Sequence, residues 1–352
     1  MAFNSEKFIR ESIEAAFSQT YEPLEIVLSD DCSTDQTFEI LKTTASEYHG
    51  PHKIILNRNE KNVGVSGHIN RVMEICSGQI VVIAAADDIS DPNRVQKTYE
   101  AFVESGQKAL SIHSSCILID ETGEETGIAQ DYEKYETDLE SVIDNGTWLY
   151  GCTHAWHRLV FDKFGPLPLE VRREDEVIPF RSLLLGTISY IREPLVRYRS
   201  HAGNISKANR RLASNKRDLQ DHIAYRYYER LVNLKCYLSD LETAGDNIDS
   251  ERWETIKKRL VKEIRECELE MSIRKGRTKE KLFALSREIT NKFDPALTVK
   301  LLFRILCPDA YTDYCFKKHK REGSQRQQCE TDSAALGDPS KERQWTNHGL
   351  QH

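Results

Sequence analysis

The sequence predicts an α/β protein in which a mostly parallel sheet is flanked by helices and followed by an α-helical region. Through residues 1–206, short aliphatic and β-branched runs alternate with helical patterns, as they do when crossover helices join parallel strands. Beyond residue 212, apolar residues recur every three or four positions, which is the spacing of amphipathic helices. A chain of 352 residues, 39% of them apolar, has room for about two domains.

The first predicted elements alternate between helix and strand. In chain order they are a helix over 8–17, a strand over 25–28, a strand over 53–56 and a helix over 66–76. A further helix begins between the two strands, where Thr34 or Asp35 can accept a hydrogen bond from its first turn. Gly78 closes the helix over 66–76, since glycine readily adopts the backbone conformation that ends helices.

The next elements continue this alternation and are then interrupted by a loop region. A strand is predicted over 79–85, a helix from Pro92 to about Ser105, a strand over 110–120, and two short strands over 188–191 and 195–199. Proline suits the first turn of a helix, where its missing N–H is not needed. Turn-forming residues are dense over 120–151, so this stretch is predicted to be loop.

Charge divides the chain into three regions. Residues 1–206 carry a net charge of −14, residues 207–321 carry +9, and residues 322–352 carry −2. The first region is predicted to be the α/β domain and the second a basic α-helical region. The third is polar and is predicted to be disordered.

The basic region contains two predicted amphipathic helices, over 219–241 and 256–271. Their basic faces, together with the apolar run over 296–307, suit peripheral contact with an anionic membrane surface or an acidic partner. Solvated basic faces on a helical bundle are the simpler interpretation of the same pattern.

Composition excludes several classes of protein. Residues 1–6 show no leader pattern and no apolar run is long enough to span a bilayer, so a cytoplasmic protein is expected, with peripheral contact at the inner membrane face at most. Nine cysteines without a C-x-x-C spacing indicate neither a disulfide framework nor a zinc site, and they are interpreted as mostly buried free thiols. A net charge of −7 and the lack of a recognised module argue against nucleic-acid binding.

Two pairs of acidic residues follow predicted strands. Asp30 and Asp31 come after the strand over 25–28, and Asp87 and Asp88 come after the strand over 79–85. The carboxyl ends of parallel strands share one edge of a sheet, where ligands bind in open α/β folds. Clustered carboxylates are favourable mainly when a cation or hydrogen-bond donors neutralise them. Acidic turns that merely end strands are the alternative.

Short motifs accompany these acidic pairs in a fixed order. They are Phe3-Asn4, Gln19-Thr20-Tyr21, Ser29 to Thr37, Asn62-Val63-Gly64, Ala86-Asp87-Asp88, Pro92, Arg94, Gly151, Phe161, Gly165, Glu174-Asp175, Arg181, Tyr198 to His201, Asn204 and Ser206. Their order and spacing resemble those of inverting family 2 glycosyltransferases with the GT-A fold. The resemblance covers roughly residues 1–206 and implies a nucleoside-diphosphate sugar donor, UDP in many members, a divalent metal and an acceptor hydroxyl.

The resemblance implies donor-binding roles near the first acidic pair. Asp31 matches the position whose carboxylate accepts a hydrogen bond from the nucleobase, with Asp30 beside it as support. Three further matching positions are implied to contact the nucleotide sugar: Phe3, Asn62 and Gly64.

The resemblance also implies a metal site at the second acidic pair. Asp88 would hold Mn²⁺ or Mg²⁺ against the diphosphate and Asp87 would reach the ribose or sugar. His201 is implied as a further metal or phosphate ligand, and Arg199 is either a phosphate contact or an exposed strand arginine. Many members carry an acid where this chain has Ala85.

Asp175 matches the general base that takes the proton of the acceptor hydroxyl in inverting transfer. By composition alone its surroundings would be an ordinary acidic helix start. Trp148, Trp156 and His157 fall where family members shape the acceptor site, although core packing is the default for both tryptophans. The acceptor is expected to be a glycan or a lipid-linked molecule.

Two departures from the family pattern keep other functions open. Ala85 replaces an acid, and the first strand of the family is absent ahead of Phe3. Either the true start of the protein lies upstream of Met1, or the chain is truncated and its sheet has an unfilled slot. The alternative is therefore a catalytically inactive nucleotide-sugar-binding or scaffold protein. A nucleotidyltransferase should have a Gly-rich phosphate loop after its first strand, and this sequence shows none.

Overall fold

The structure is a computed structural model that describes residues 1–129, 137–147, 149–204 and 214–275. The chain forms two compact units: residues 1–202 together with 236–257, and residues 203–235 together with the chain from Lys258 onward. The predicted tail over 322–352 and the apolar run over 296–307 lie outside the described residues.

The first unit alternates strands and helices as predicted. Its elements are α1 (Ile9–Phe17), β1 (Glu25–Asp30), α2 (Thr37–Ser46), β2 (Lys53–Arg58), α3 (Gly64–Ile75), β3 (Ile80–Val82), β4 (Ile89–Ser90), α4 (Arg94–Glu104), β5 (Ala109–Ile119), β6 (Glu125–Ala129), α5 (Leu139–Asn145), β7 (Ala155–His157), α6 (Leu159–Phe164), α7 (Glu174–Leu185) and β8 (Thr187–Arg199). Two long helices follow, α8 (Lys216–Ala244) and α9 (Ser250–Lys275). The α/β class and the C-terminal helices are thus confirmed.

The described strands form a parallel sheet of two strands, β1 and β2, and a mixed sheet of six strands, where one mostly parallel sheet was predicted. β1 and β2 pair in parallel, and so do β5 and β8, whereas β3–β7, β4–β8, β5–β6 and β5–β7 are antiparallel. The larger sheet has the order β3-β7-β5-β8-β4, with β6 added to β5. A tight turn around Asp120, whose N–H donates to the Glu124 carbonyl, joins β5 to β6, and such a short connection permits only antiparallel pairing.

The stretch predicted as loop contains ordered elements. β6 lies within it, and α5 begins with a capping box in which Asp138 accepts from the Ser141 N–H at 2.7 Å. The two strands predicted over 188–191 and 195–199 are one strand, β8. Pro194 suggested a break, and the ladder absorbs it by shifting register where Ser115 pairs with Pro194.

Each face of the sheet is covered by apolar helix surfaces. Ile9 and Ile13 of α1 pack with Leu28 and Leu41, while Phe102 of α4 packs with Ile112 of β5. Residues of α7 are buried on most sides, among them Val177, Ile178 and Phe180. This burial fixes the position of α7, which begins with Glu174 and Asp175.

Helix α8 continues the core of the first unit. The ring of its Tyr237 stacks on Phe180 with centroids 4.1 Å apart, and Asp240 pairs with Arg181 at 2.9 Å. In the second unit, Arg230 pairs with Glu263 at 2.7 Å, which joins α8 to α9. In the ranges that the structure covers, no helix has the length and apolarity needed to cross a bilayer.

The described cysteines are free thiols, and half of them are buried where most were predicted to be. Cys116, Cys236 and Cys267 are buried, whereas Cys32, Cys76 and Cys152 are half-buried.

Candidate active site

The candidate site lies where several strands and extended segments end at one edge of the sheet. Ala2 lies beside the end of β1, since its N–H donates to the Ser29 carbonyl at 2.8 Å and its carbonyl accepts from the Asp31 N–H at 2.9 Å. The neighbouring Met1 nitrogen donates to the Ala84 carbonyl at 2.8 Å, just before the second acidic pair. Both acidic pairs therefore flank the same short N-terminal segment.

The first acidic pair is fully occupied by contacts within the protein. Asp30 is inaccessible, accepts from the Ser33 N–H at 3.0 Å and forms an ion pair with Arg58 at 3.3 Å. Asp31 is 2% exposed and accepts from the Asn59 side chain at 2.8 Å and from the Gly64 N–H at 3.0 Å. These carboxylates therefore hold the turn after β1 and the loop after β2 in place.

The loop held by Asp31 leads directly into α3. Gly64 begins this helix with a φ of +74°, a left-handed conformation that a side chain would strain. The Asn62 side chain also accepts from the Gly64 N–H, at 3.0 Å. Asn62 and Gly64 thus form one hydrogen-bonded turn with Asp31. The sequence predicted these three residues to act together.

Phe3 is exposed beside this turn. The residue is 46% exposed, although Ala2 before it is buried. Asn4 fixes the segment, because its side-chain oxygen accepts from the Thr34 N–H at 2.9 Å and its own N–H donates to the Ser33 hydroxyl at 2.8 Å. An exposed aromatic ring on a fixed backbone can stack on a flat ligand.

Asp87 and His201 approach each other at the same edge. Oδ2 of Asp87 lies 3.0 Å from Nε2 of His201, and their side chains are 25% and 16% exposed. The Phe8 ring packs against the imidazole with centroids 4.8 Å apart. A carboxylate and an imidazole held together at a partly open surface can bind a cation.

Asp88 occupies a different environment from its neighbour. It is 5% exposed and accepts from the Arg199 N–H at 2.8 Å. Burial, and then the charge of the adjacent Asp87, raise its pKa to about 7. Asp88 therefore joins the turn after β3 to the end of β8 and does not face the open edge.

Arg199 is a structural residue that the sequence did not reveal as such. It is 2% exposed and donates to the Asp87 carbonyl at 3.0 Å and to Glu11 at 2.6 Å. Its guanidinium also lies over the Phe8 ring, 4.9 Å from the centroid. The sequence suggested either an exposed strand arginine or a phosphate contact. The observed side chain is instead buried and fixes the backbone of Asp87.

Asp175 belongs to a third group at the start of α7. Its backbone carbonyl accepts from the Thr147 hydroxyl at 2.5 Å, and its carboxylate lies 3.7 Å from Arg173. Gly151 faces it closely, because a Cβ there would lie 3.6 Å from the Asp175 Cβ. Burial, and then the charge of Asp175, raise the pKa of Glu174 to about 8. Glu174 is thus mostly protonated at neutral pH.

Trp156 and His157, two of the three residues predicted to shape the acceptor site, pack against aromatic rings. Trp156 is 3% exposed and stacks on Phe161, as core packing predicts. His157 stacks on Phe102 and accepts from the Leu159 N–H. Trp148 lies outside the described residues.

Protein groups alone do not complete a metal site in the described ranges. No cluster of three or more His, Cys, Asp or Glu side chains there could hold an ion. Asp87 and His201 supply one hard oxygen and one imidazole nitrogen, so a divalent ion there would need oxygens from a ligand. The residues present therefore fit an ion that binds together with an anionic ligand.

The α/β sheet with carboxylates gathered at the carboxyl ends of its strands is of the GT-A type, as the solved structures similar to it show. Residues 1–156, which are less than half of the chain, match the family model described as Glycosyl transferase family 2. The Staphylococcus aureus TarS 1–349 structure with UDP-GlcNAc has a TM-score of 0.56 and 14% identity, over 92% of this chain and 90% of that one. The TarS structure with UDP has a TM-score of 0.53. These likenesses concern the fold.

Sequence relatives match the front of the chain. The EpsE protein of Bacillus subtilis is 33% identical over 121 residues, which are 34% of this chain and 42% of EpsE. An uncharacterized glycosyltransferase of Nostoc sp. is 29% identical over 210 residues, which are 57% of this chain and 63% of that protein. The chain thus spans less than two thirds of each of these relatives.

Proposed function

We propose that this protein transfers a sugar from a nucleoside-diphosphate sugar, UDP-linked in particular, to an acceptor hydroxyl with inversion, in the synthesis of a glycan or polysaccharide. The observation that carries the proposal is the approach of Asp87 and His201 at the edge of the sheet, in a chain whose residues 1–156 match the family 2 model. The neighbouring TarS structures, which hold UDP and UDP-GlcNAc, support the class of donor.

The nucleoside would bind beside the turn after β1. The exposed Phe3 ring offers a stacking surface for the base. Asp31, whose oxygens already accept bonds from Asn59 and Gly64, acts mainly by ordering the loop around Asn62. Asp30 does not contact the donor in this proposal, and its role is to fix the turn after β1 through the Ser33 N–H.

The diphosphate would bind at Asp87 and His201, which would hold Mn²⁺ or Mg²⁺ together with phosphate oxygens. A bound divalent ion supplies Lewis-acid stabilisation of the charge that develops on the leaving diphosphate. We assign Asp87 to the ion in place of Asp88, since Asp88 is buried and accepts from the Arg199 backbone. Arg199 and Asp88 then position the ligand pair.

Asp175 would act as the general base. Its carboxylate takes the proton of the acceptor hydroxyl as that oxygen forms the new bond to the anomeric carbon, and the bond to the diphosphate breaks on the opposite face. Glu174 stays protonated at neutral pH, because burial and the Asp175 charge raise its pKa to about 8. Glu174 therefore does not compete with Asp175 for the proton of the acceptor.

The acceptor is proposed to be a glycan or a lipid-linked molecule reached at the cytoplasmic membrane face. The supporting observation is the net charge of +9 over residues 207–321, which favours anionic membrane surfaces. Co-sedimentation with anionic but not neutral vesicles is expected.

The experiment that tests the proposed reaction measures nucleoside-diphosphate release from a panel of UDP- and GDP-sugars with Mn²⁺. Release with at least one donor, lost in Asp175→Asn, is expected. Donor binding without release under any condition would instead indicate the inactive nucleotide-sugar-binding protein. Absence of both binding and release would contradict both functions.

A further inference from the structure

A group of polar side chains lies between α3 and the parallel pair of β1 and β2, beside the Asn62–Gly64 turn. The group consists of Ser29, Asp31, Asn57, Asn59 and His68. All of them except the half-buried Asn57 are buried, in a place where a sheet and a helix usually pack through apolar side chains. Buried polar groups are retained where their hydrogen bonds are satisfied.

The hydrogen bonds of this group begin at His68. Nε2 of His68 lies 2.7 Å from Oγ of Ser29 on β1. The Asn57 side chain of β2 donates to the same hydroxyl at 2.9 Å and to the Asn59 side-chain oxygen at 3.1 Å. Ser29 and Asn57 are partners in the β1–β2 ladder, so their side chains lie on one face of the sheet.

The hydrogen bonds end at Asp31 and return to α3. Asn59 donates to Oδ1 of Asp31 at 2.8 Å, and Oδ2 of Asp31 accepts from the Gly64 N–H at 3.0 Å. Gly64 is the first residue of α3, and His68 lies four positions further along the same helix. One ring of hydrogen bonds, called here the His68–Asp31 network, therefore joins α3 to both strands.

The Asp31 charge and the His68 imidazole fix the direction of every bond between them. The carboxylate polarises the Asn59 amide that donates to it, which strengthens the bond that this amide accepts from Asn57. Because the Ser29 hydroxyl accepts from Asn57, its own hydrogen is available to His68. Burial lowers the pKa of His68, so the neutral imidazole accepts this hydrogen at Nε2 and carries its proton on Nδ1.

The network depends on the acceptor that His68 provides. Without it the Ser29 hydroxyl would keep an unpaired hydrogen in a buried place, which costs free energy. A hydroxyl that turned towards Asn57 instead would require this amide to present its oxygen. The Asn57 bonds to Ser29 and Asn59 would then be lost together, and Asn59 would no longer be held against Asp31.

We propose that His68 is a positioning residue for the nucleoside diphosphate of the donor. Through the His68–Asp31 network it fixes the Asp31 carboxylate against the Asn62–Gly64 turn. The inference rests on the proposed function, which assigns this turn to the donor. His68 acts through other residues, since it is 3% exposed and bonded to Ser29.

Two substitutions of His68 test this role. His68→Leu removes the acceptor and keeps an apolar bulk, whereas His68→Gln keeps a side-chain oxygen that can accept from Ser29. In titrations of UDP with Mn²⁺, the Kd is expected to rise about tenfold in His68→Leu, the loss of one buried hydrogen bond, and by less than about threefold in His68→Gln. The donor KM should follow the Kd, and kcat at saturating donor should stay unchanged, because the network does not include Asp175.

His154 offers a matched control in the larger sheet. Its Nε2 lies 2.9 Å from Oγ of Ser111, and it is 1% exposed. His154→Leu should lower the melting temperature as His68→Leu does but leave the Kd of UDP unchanged. An equal rise of the Kd in His154→Leu, or no recovery in His68→Gln, would show that His68 has only a general structural role and would overturn the proposal.

A double variant tests whether the residues act in one network. Asn59→Leu interrupts it nearer to Asp31, so adding His68→Leu should raise the Kd by less than the product of the two separate effects. A full product would mean that His68 and Asn59 act independently, and it would contradict the proposed route.

Hydrogen exchange separates this inference from the proposed function, because it needs no ligand. The N–H groups of Val63 and Gly64 donate to Asp31, so their exchange should be faster in His68→Leu than in the native chain and in His154→Leu. Failure of the native chain to bind UDP would contradict the proposed function, while the exchange rates would still decide whether His68 holds the turn. Unchanged exchange in His68→Leu would overturn the inference whether or not UDP binds.

Discussion

Asp87 and His201 meet side chain to side chain at 3.0 Å, although 114 positions separate them in the chain. Two contacts fix the positions of these side chains. Arg199 donates to the Asp87 carbonyl at 3.0 Å, and the Phe8 ring packs on the His201 imidazole. Neighbouring Asp88 is buried and bonded to the Arg199 backbone. The two adjacent aspartates are thus expected to respond differently to substitution.

Asp87→Ala and His201→Ala should each weaken Mn²⁺-dependent donor binding on the order of a hundredfold, because each removes one of two protein ligands. Asp88→Asn should keep the metal dependence, since an amide oxygen still accepts from the Arg199 N–H. Titration of UDP with and without Mn²⁺ in the three variants makes the comparison. Loss of metal dependence in Asp88→Asn alone would reverse the assignment.

Asp175→Asn should lower turnover by roughly 10²–10⁴-fold, the usual contribution of a general base. Donor affinity should change little, because asparagine keeps the size of the side chain and the backbone carbonyl of residue 175 still accepts from Thr147. The matched control is Glu174→Gln, which replaces a protonated carboxyl by an amide and should keep most activity at pH 7. Equal losses in the two variants would remove the distinction between a base and its neighbour.

Local pattern was enough to locate the acidic pairs, because turn residues and strand periodicity are short-range signals. It could not reveal that Arg199 is buried, since the partners of Arg199 lie at Glu11 and Asp87, far along the chain. Nor could it separate Asp87 from Asp88, because adjacent residues with the same side chain differ only in which direction the folded backbone turns them. The sequence likewise could not show that the Asp31 carboxylate accepts hydrogen bonds from Asn59 and Gly64, because these bonds depend on where the folded loop after β2 lies.

Glu174 gives a pH dependence of stability that can be isolated. Its folded-state pKa is raised from 4.5 to about 8, so its contribution to stability is fully present below pH 4.5 and is lost as pH rises through about 8. The free energy of unfolding of Glu174→Gln, relative to the native chain, should therefore increase between these two values and level off above them. Urea unfolding of both proteins from pH 4 to pH 9 measures the difference. A difference that does not vary with pH would show that Glu174 ionises in the folded protein as it does in the unfolded chain.

Arg181 and Asp240 form a buried ion pair between α7 and α8, at 2.9 Å with exposures of 2% and 5%. Burial raises the pKa of Asp240 while the Arg181 hydrogen bond lowers it, so the carboxylate depends on its partner for solvation. Arg181→Met should destabilise the protein by about 3–5 kcal/mol, because it leaves a buried charge uncompensated. The double variant Arg181→Met with Asp240→Leu should cost less than the single one, since it leaves neither charge behind.

The exposed pair of Lys7 and Glu121, at 3.4 Å, is the matched control for this ion pair. Lys7→Met should change the free energy of unfolding by less than about 1 kcal/mol, because water and salt screen exposed charges. Denaturant unfolding of Arg181→Met, Asp240→Leu, the double variant and Lys7→Met makes the comparison. If the loss of unfolding free energy in the double variant equalled the sum of the losses in Arg181→Met and Asp240→Leu, the two side chains would contribute independently. Helix α8 would then be held to α7 by its apolar contacts, such as that of Tyr237 with Phe180, and not by the ion pair.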